Sequence, residues 1–254
     1  MPWDVAVYEA FAAWRERPFD DLLERVPQDL RPQRVLDAGC GTGRTTHKLA
    51  KRFPQARVTG VDGSEPMLRV AKPHPRISFV HADIAVHRPD APQDLVVANA
   101  VLHWIAQPEA TLGHLASWVA EGGVLAIQVP ANFHRPSHKI VGELAAGAPW
   151  RTHLAQVQPG DHVLSLTDYR RVLEGAGFEV SAWETDYDMR LPGEDAVLDW
   201  LTGTTLRPYL AALPRGMAPA FRQELGRRLR EAYPAEDGVV AFPFLRRFAV
   251  ARRG

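Results

Sequence analysis

Over the first half of the chain, short and almost wholly apolar runs alternate with amphipathic stretches. A glycine-rich turn follows the first run, and acids or amides close several of the others. These observations predict a doubly wound α/β fold. Arg34 to Gly39 reads as the first strand, and Thr42 to Arg52 as the helix behind it. Arg57 to Val61 is the second strand, with Ser64 placed to cap a helix running toward Ala71. Ile77 to His81 and Asp94 to Val97 are the third and fourth, as apolar as a parallel sheet covered on both faces requires. Leu112 to Val119 reads as a helix stopped by Gly122-Gly123, and Val124 to Val129 as the fifth strand.

The second half is less regular. Proline and glycine punctuate Pro136 to Leu166, with one helical piece near Val141 to Ala146. Thr167 is the expected cap of a helix ending at Ala176, and Gly177 its stop. Phe178 to Arg190 alternates like a long strand, Glu194 to Leu201 and Pro219 to Tyr233 read as helices, and FPFLRRFAVARR (Phe242 to Arg253) closes the chain as a strand. Without repeats or a low-complexity linker, one domain is expected. Its parts are an N-terminal helical segment over 1–30, a strand–helix core over 31–130, an insert over 131–238, and a C-terminal strand over 239–254.

Composition narrows the function. The 254 residues, 46% hydrophobic and 24% charged, are those of an ordinary globular protein. Thirty basic residues balance thirty acidic ones, which argues against a nucleic-acid surface. Cys40 stands alone, so no intrachain disulfide forms, and a reducing compartment fits. The N-terminus has acids early and no basic segment leading into an apolar one, so no signal peptide is expected. No apolar run approaches the roughly 20 residues of a membrane span. A cytoplasmic protein without nucleic-acid or membrane partners is the expectation. The oligomeric state stays open, and a monomer is compatible with the sequence. No Cys/His cluster has metal-ligand spacing, so no metal site is expected.

The turn Asp37-Ala38-Gly39-Cys40-Gly41-Thr42-Gly43 lies where the first strand becomes the first helix. Gly39, Gly41 and Gly43 permit positive φ and close approach of backbone N–H groups to a ligand. Asp62 and Gly63 end the second strand, about 20 residues on, where an acid can hold a ribose diol. Asp83 and Ile84 follow the third strand and can flank an adenine; Asn99 and Ala100 follow the fourth. Polar residues at the carboxyl ends of consecutive strands converge on the crevice where open α/β sheets bind ligands. A nicotinamide dehydrogenase is the competing reading, but Arg44 stands where the third glycine of its fingerprint belongs. An acid at Asp37 would repel a pyrophosphate, whereas it suits the ammonium and sulfonium of S-adenosylmethionine.

At these residues the chain resembles the class I S-adenosylmethionine-dependent methyltransferases. Motifs from end to end are similar to those of one group, the trans-aconitate 2-methyltransferases. They include Trp3-Asp4, Tyr8, Phe11-Ala12-Ala13, Arg17-Pro18, ANAVLHW (Ala98 to Trp104), Gln128-Val129-Pro130-Ala131-Asn132 and Pro136-Ser137-His138. WETDY (Trp183 to Tyr187), LPGEDAVLDWL (Leu191 to Leu201), LRPYL (Leu206 to Leu210) and the last strand continue the likeness. The resemblance implies a Rossmann-like, seven-stranded, mostly parallel sheet with an antiparallel last strand and a small helical cap. It also implies esterification of a carboxylate of a small polycarboxylic acid. Two departures stand out. Asp186-Tyr187-Asp188-Met189 occupies a stretch where the family reads threonine-tyrosine and, two residues on, histidine. Thr205 occupies a glycine position. Added acids facing the substrate would favour a less charged ester or a larger acid over a trianion.

The expected chemistry is in-line attack by an oxygen on the sulfonium methyl. A carboxylate is ionised at pH 7, so no general base is required, and alignment in a water-poor pocket carries the rate. Arg207 is the first candidate clamp for the acid's other carboxylates, because a guanidinium holds carboxylate bidentately. Strand alternation admits only one of Arg246 and Arg247 to the interior. His103 is a candidate to hydrogen-bond substrate and Trp104 to wall the pocket, with Asn132 and His138 further candidates after the fifth strand. The alternatives are a methyltransferase for another small acid or natural product, and a cofactor-binding protein without transfer. Trp3, Tyr8, Phe11 and Trp14 have near-helical spacing that suits core packing; the resemblance implies instead that 1–30 is a lid closing over the cofactor, with 31–130 the cofactor-binding core and 131–238 the cap and substrate insert. Cys40 is read as a packing residue, and the GRRLR arginines (Gly226 to Arg230) as a solvated helix face.

Overall fold

The computed structural model describes residues 12–157 and 162–254, without the side chains of Ala12, Ala13 and Arg15. Trp3, Tyr8 and Phe11 lie outside the described residues. The chain divides into two compact units. A sheet unit takes Arg17–Pro130, His162–Glu184 and Arg247–Gly254, and a helical unit takes the described parts of 1–16 and 131–161 with Thr185–Arg246.

The elements of the sheet unit run in the predicted alternation. After α1 (Ala12–Glu24) come β1 (Arg34–Ala38), α2 (Arg44–Arg52), β2 (Arg57–Asp62), α3 (Glu65–Leu68), β3 (Ile77–His81) and β4 (Gln93–Asn99). A 3₁₀ turn over Leu102–Trp104 leads to α4 (Pro108–Ala116) and β5 (Val119–Pro130); α7 (Leu166–Gly175) comes later in the chain. In between, the helical unit holds α5 (Pro136–Ala146) and α6 (Arg151–Leu154). After β6 (Phe178–Pro192) it adds α8 (Ala196–Thr202), α9 (Arg207–Ala212), α10 (Ala218–Ala232) and β7 (Ala235–Glu236), and β8 (Val239–Arg253) ends the chain.

Among the described residues there is one eight-stranded sheet in the order β3-β2-β1-β4-β5-β8-β6. Its first four pairings are parallel, and its last strands are antiparallel. Seven strands lie on that path, as the sequence predicts; the eighth, β7, is a two-residue strand antiparallel to β8. Val35 through Ala38 are all buried, because a central parallel strand is covered on both faces. The core of this unit gathers Leu36, Val96, Ile127 and Ala249 with Leu112, Leu115 and Tyr169 from the helices. Asp94 accepts the backbone N–H groups of Gln33 and Arg34 at 2.7 and 2.8 Å, fixing where β1 begins.

Several local expectations change. Gly122-Gly123 do not stop a helix; they lie inside β5, where the register against β4 shifts between Gln93 and Leu95. Gly122 has φ +72°, and a Cβ on Gly123 would stand 2.9 Å from the carbonyl oxygen of Ala120. The pair makes a β-bulge rather than a break. The helix read from Leu112 starts earlier, at Pro108, whose fixed φ and missing N–H suit a first helical position. Ser165, not Thr167, caps α7: its hydroxyl accepts from Asp168 N at 3.1 Å, and Asp168 accepts Ser165 N in return, a complete capping box. The helix expected to run from Ser64 to Ala71 is the four-residue α3, without a side-chain cap bond from Ser64.

Candidate active site

The parallel registers bring the strand ends of the sheet unit into line. Asp37 of β1 stands opposite Gly60 of β2 and Val97 of β4, Asp62 opposite His81, and Asn99 opposite Gln128. Beyond β1, Gly39 N and Cys40 N both donate to Val61 O, at 2.7 and 3.1 Å, which folds the glycine turn over the end of β2. Gly41 N then donates to Asp62 Oδ2 at 2.8 Å, and Ser64 N to Asp62 Oδ1 at 2.8 Å. Asp62 thus organises the turn, and a carboxylate retains lone pairs for further donors beyond these two bonds.

The three turn glycines have different reasons to be glycine. All have positive φ, at +77°, +56° and +77°. A Cβ on Gly39 would stand 2.4 Å from Val101, and one on Gly43 2.6 Å from the Phe79 ring, so packing already excludes a side chain at both. At Gly41 the nearest atom would be Met67 Sδ at 3.5 Å. Gly63 is similarly open. Cys40 is buried and burial pushes its thiol pKa up, so it packs and does not react.

Asp37 is fully buried, and its Oδ2 accepts the hydroxyls of Thr45 at 2.8 Å and Thr46 at 2.7 Å. Its Oδ1 is buried with no hydrogen-bond partner among the described residues. Desolvation raises its pKa to about 6, against the two threonine bonds that lower it. A buried carboxylate with one oxygen satisfied and one open fits a cationic ligand group. Thr45 and Thr46 escaped the sequence reading. The available signal was the demand of a buried acid for donors, met by two hydroxyls in the first turn of the following helix.

Past β4, the Oδ1 of Asn99 is also buried without a partner among the described residues. Ala100 has φ +53°, a left-handed conformation that costs a non-glycine residue of order 1–2 kcal/mol. Strain of this kind collects at functional sites. In the 3₁₀ turn His103 is buried and Trp104 is 49% exposed, with their rings 4.9 Å apart. Asp83 is exposed and caps its own turn through Ala85 N at 2.9 Å, while Ile84 is buried in the core of this unit.

The remaining predicted residues belong to the helical unit. Arg207 is exposed as the first residue of α9. Asn132 is 1% exposed, and its amide is engaged at both ends by one residue: Nδ2 donates to Leu245 O at 2.9 Å and Oδ1 accepts Leu245 N at 2.8 Å. That geometry corrects the expectation of a catalytic amide, since Asn132 serves as a bridge to the last strand. Arg246 is the inward member of its pair, 7% exposed and 4.6 Å over the Phe244 ring. Arg247, in the sheet unit, is held by Glu184 at 2.7 Å and Leu164 O at 3.0 Å. On β6, Tyr187 and Met189 are buried, while Asp186 and Asp188 point out and pair with Arg135 at 2.5 Å and Arg190 at 3.0 Å. Of the GRRLR arginines, Arg227 and Arg228 pair with Glu224, and Arg230 with Asp195.

Comparison with known proteins settles the family. Residues 11–182 match the model of a methyltransferase domain. A trans-aconitate 2-methyltransferase of Streptomyces avermitilis is 43% identical, over 99% of this chain and 97% of that protein. One of Streptomyces coelicolor is 44% identical, over 99% and 86%. The chain belongs to the trans-aconitate 2-methyltransferase family. It is a methyltransferase, and its methyl donor is S-adenosylmethionine. A Haemonchus contortus phosphoethanolamine N-methyltransferase solved with S-adenosylhomocysteine shares the fold, with TM-score 0.59 and 16% identity over 98% of this chain and 57% of that one. The open Oδ1 of Asp37, the uncrowded Gly41 and the buried Asn99 oxygen fit that donor. Among the described residues no group of acids, histidines and cysteine could hold a metal, and no helix is long and apolar enough to cross a membrane.

Proposed function

We propose that the protein esterifies a carboxylate of trans-aconitate in the cytoplasm. The observation that carries this reading is the 43–44% identity, along nearly the whole chain, to relatives named for that substrate. When bound, S-adenosylmethionine would supply a sulfonium methyl, which passes to an acceptor oxygen as the C–S bond breaks and the neutral thioether leaves with that electron pair. The acceptor oxygen is already anionic at pH 7, so no proton moves and no base is needed. Asp37 faces the cationic end of the donor, Asp62 its ribose, and Asp83 with Ile84 its adenine. The Gly39–Gly43 turn, Gly63, Asn99 and Ala100 line the same ligand. In the sheet unit His103 donates to the acceptor and Trp104 excludes water; for Arg207, in the helical unit, the chemistry of its guanidinium supports the role of a carboxylate clamp.

Two features of β6 support a polyanionic acceptor. The departures from the family pattern divide by face: Met189 is in the core, and the charges of Asp186 and Asp188 are matched by arginines on the outer face. Neither adds an unbalanced negative charge. The decisive experiment incubates the enzyme with labelled donor and millimolar trans-aconitate and assays for the methyl ester. Its absence while the donor binds would leave methyltransferase membership intact and remove trans-aconitate as substrate. Arg207→Ala should raise KM for the acid at least tenfold, about 1.4 kcal/mol, with donor affinity nearly unchanged.

A further inference from the structure

A chain of side chains in the helical unit leads to the start of α9 and is not used by the reaction as described. His138, in the first turn of α5, has both ring nitrogens engaged by hydroxyls. Nδ1 stands 3.1 Å from Ser137 Oγ, and Nε2 stands 3.1 Å from Thr205 Oγ1. Phe133 packs edge-on against the ring, with centroids 5.0 Å apart. Ser137 is fully buried, and its backbone N–H, one of the donors a helix start leaves unsatisfied, bonds to the Tyr233 hydroxyl at 3.1 Å. Tyr233 ends α10. The network therefore joins the start of α5, the end of α10 and the turn between α8 and α9.

That turn is short and carries several local bonds. Thr204 Oγ1 reaches back to Trp200 O at 3.0 Å, Leu206 N bonds to Leu201 O at 2.9 Å, and Arg207 N bonds to Thr204 O at 3.2 Å. Thr205 supplies its side-chain tie to another element, and Arg207 follows two residues later. Burial, with His134 adding in the same direction, lowers the His138 pKa to about 4, so the ring is neutral at working pH. A neutral imidazole donates from one nitrogen and accepts at the other, and hydroxyls on both sides satisfy either tautomer.

We propose that Thr205 and His138 form a positioning pair that sets the turn presenting Arg207 to the acceptor. The proposal rests on the reading of Arg207 as a carboxylate clamp. Neither residue touches substrate; both act through the backbone of the turn. Thr205→Val is nearly isosteric and removes only the hydroxyl. It should raise KM for trans-aconitate five- to tenfold, leave the Kd for S-adenosylmethionine within twofold, and shift the His138 tautomer ratio seen by ¹⁵N NMR. Thr205→Ser, which keeps the hydroxyl, should restore both readouts to wild-type values. His138→Gln, tested beside it, should raise KM in the same direction.

The outcomes separate. If Arg207→Ala raises KM while Thr205→Val leaves it within twofold, the positioning pair is overturned and the clamp stands. If Arg207→Ala also leaves KM unchanged, the clamp reading falls and takes the proposal with it. An unchanged tautomer ratio in Thr205→Val would overturn the hydrogen bond itself, whatever the kinetics. Should Thr205→Val fold poorly, a KM for Thr205→Ser that is raised as far as that of His138→Gln also overturns the proposal.

Discussion

Asp37 on β1 and Asp188 on β6 are the same side chain on two kinds of strand. β1 is central and parallel, buried on both faces, so the acid at position 37 is desolvated whichever way it points. β6 alternates, and its buried members Tyr187, Met189 and Leu191 leave Asp188 on the solvent side beside Arg190. Among the described residues Asp37 meets two hydroxyls and no cation, while the exposed Asp188 pairs with a cation. The first keeps an open acceptor oxygen, and the second is already paired. A buried charge with an open partner position marks a binding site more reliably than an exposed acid near the same chemistry.

The largest effect should come from Asp37→Asn. The amide keeps an acceptor for Thr45 and Thr46 but removes the charge, so calorimetry should show donor affinity falling roughly 100-fold, on the order of 2.7 kcal/mol. The same change should stabilise the donor-free protein at pH 8. Raising a fully buried carboxyl from 3.8 to about 6 makes its ionisation cost the fold on the order of 3 kcal/mol. A variant that binds normally, or melts lower at pH 8, would contradict the contrast with Asp188.

Asp62→Ala should weaken donor binding at least tenfold, about 1.4 kcal/mol, because it removes a ligand contact and also releases Gly41 N and Ser64 N. Unchanged affinity would remove Asp62 from the site.

The pH dependence sharpens the same point. The Asp37 carboxyl holds its proton more tightly in the fold than in the unfolded chain. Its contribution to stability is therefore fully present below about pH 3.8 and is lost as pH rises through about 6. Donor affinity runs the other way, since the ionised form receives the cation: it should fall about tenfold from pH 8 to pH 5. Flat affinity over that range would show that Asp37 does not face the cationic end.

Asp188→Asn should do least. An exposed pair such as Asp188–Arg190 contributes about 0–1 kcal/mol, so the melting temperature should change by roughly a degree or less. KM for trans-aconitate should stay within about twofold. A large fall in KM would show that β6 repels the acceptor after all and reopen the larger or less charged acids.

The alternating order of strands and helices, the glycine turn, the acids at 37 and 62 and the Asn99-Ala100 step were all legible in the sequence. Each depends on local periodicity or on residues a few positions apart, and on the requirement that a doubly covered sheet be apolar. Ile77 to His81 was readable to the residue from its short β-rich run, although as the edge strand it is only half-buried. The bulge at Gly122-Gly123 was not, because a glycine pair stops a helix or kinks a strand according to the strand it pairs with, and that partner is β4. The choice of Ser165 over Thr167 as a cap needed the reciprocal bond from Asp168. The donors for Asp37 lie eight and nine residues away, across a turn whose path is set by Val61. Which arginine of 246 and 247 turns inward, and whether Asp188 faces solvent, depended on how β6 and β8 are packed. The bond from His138 to Thr205 spans 67 residues. Sequence alone determines periodicity and local chemistry; burial and long-range partners are properties of the packed chain, and they decide which of its charged groups remain available to a ligand.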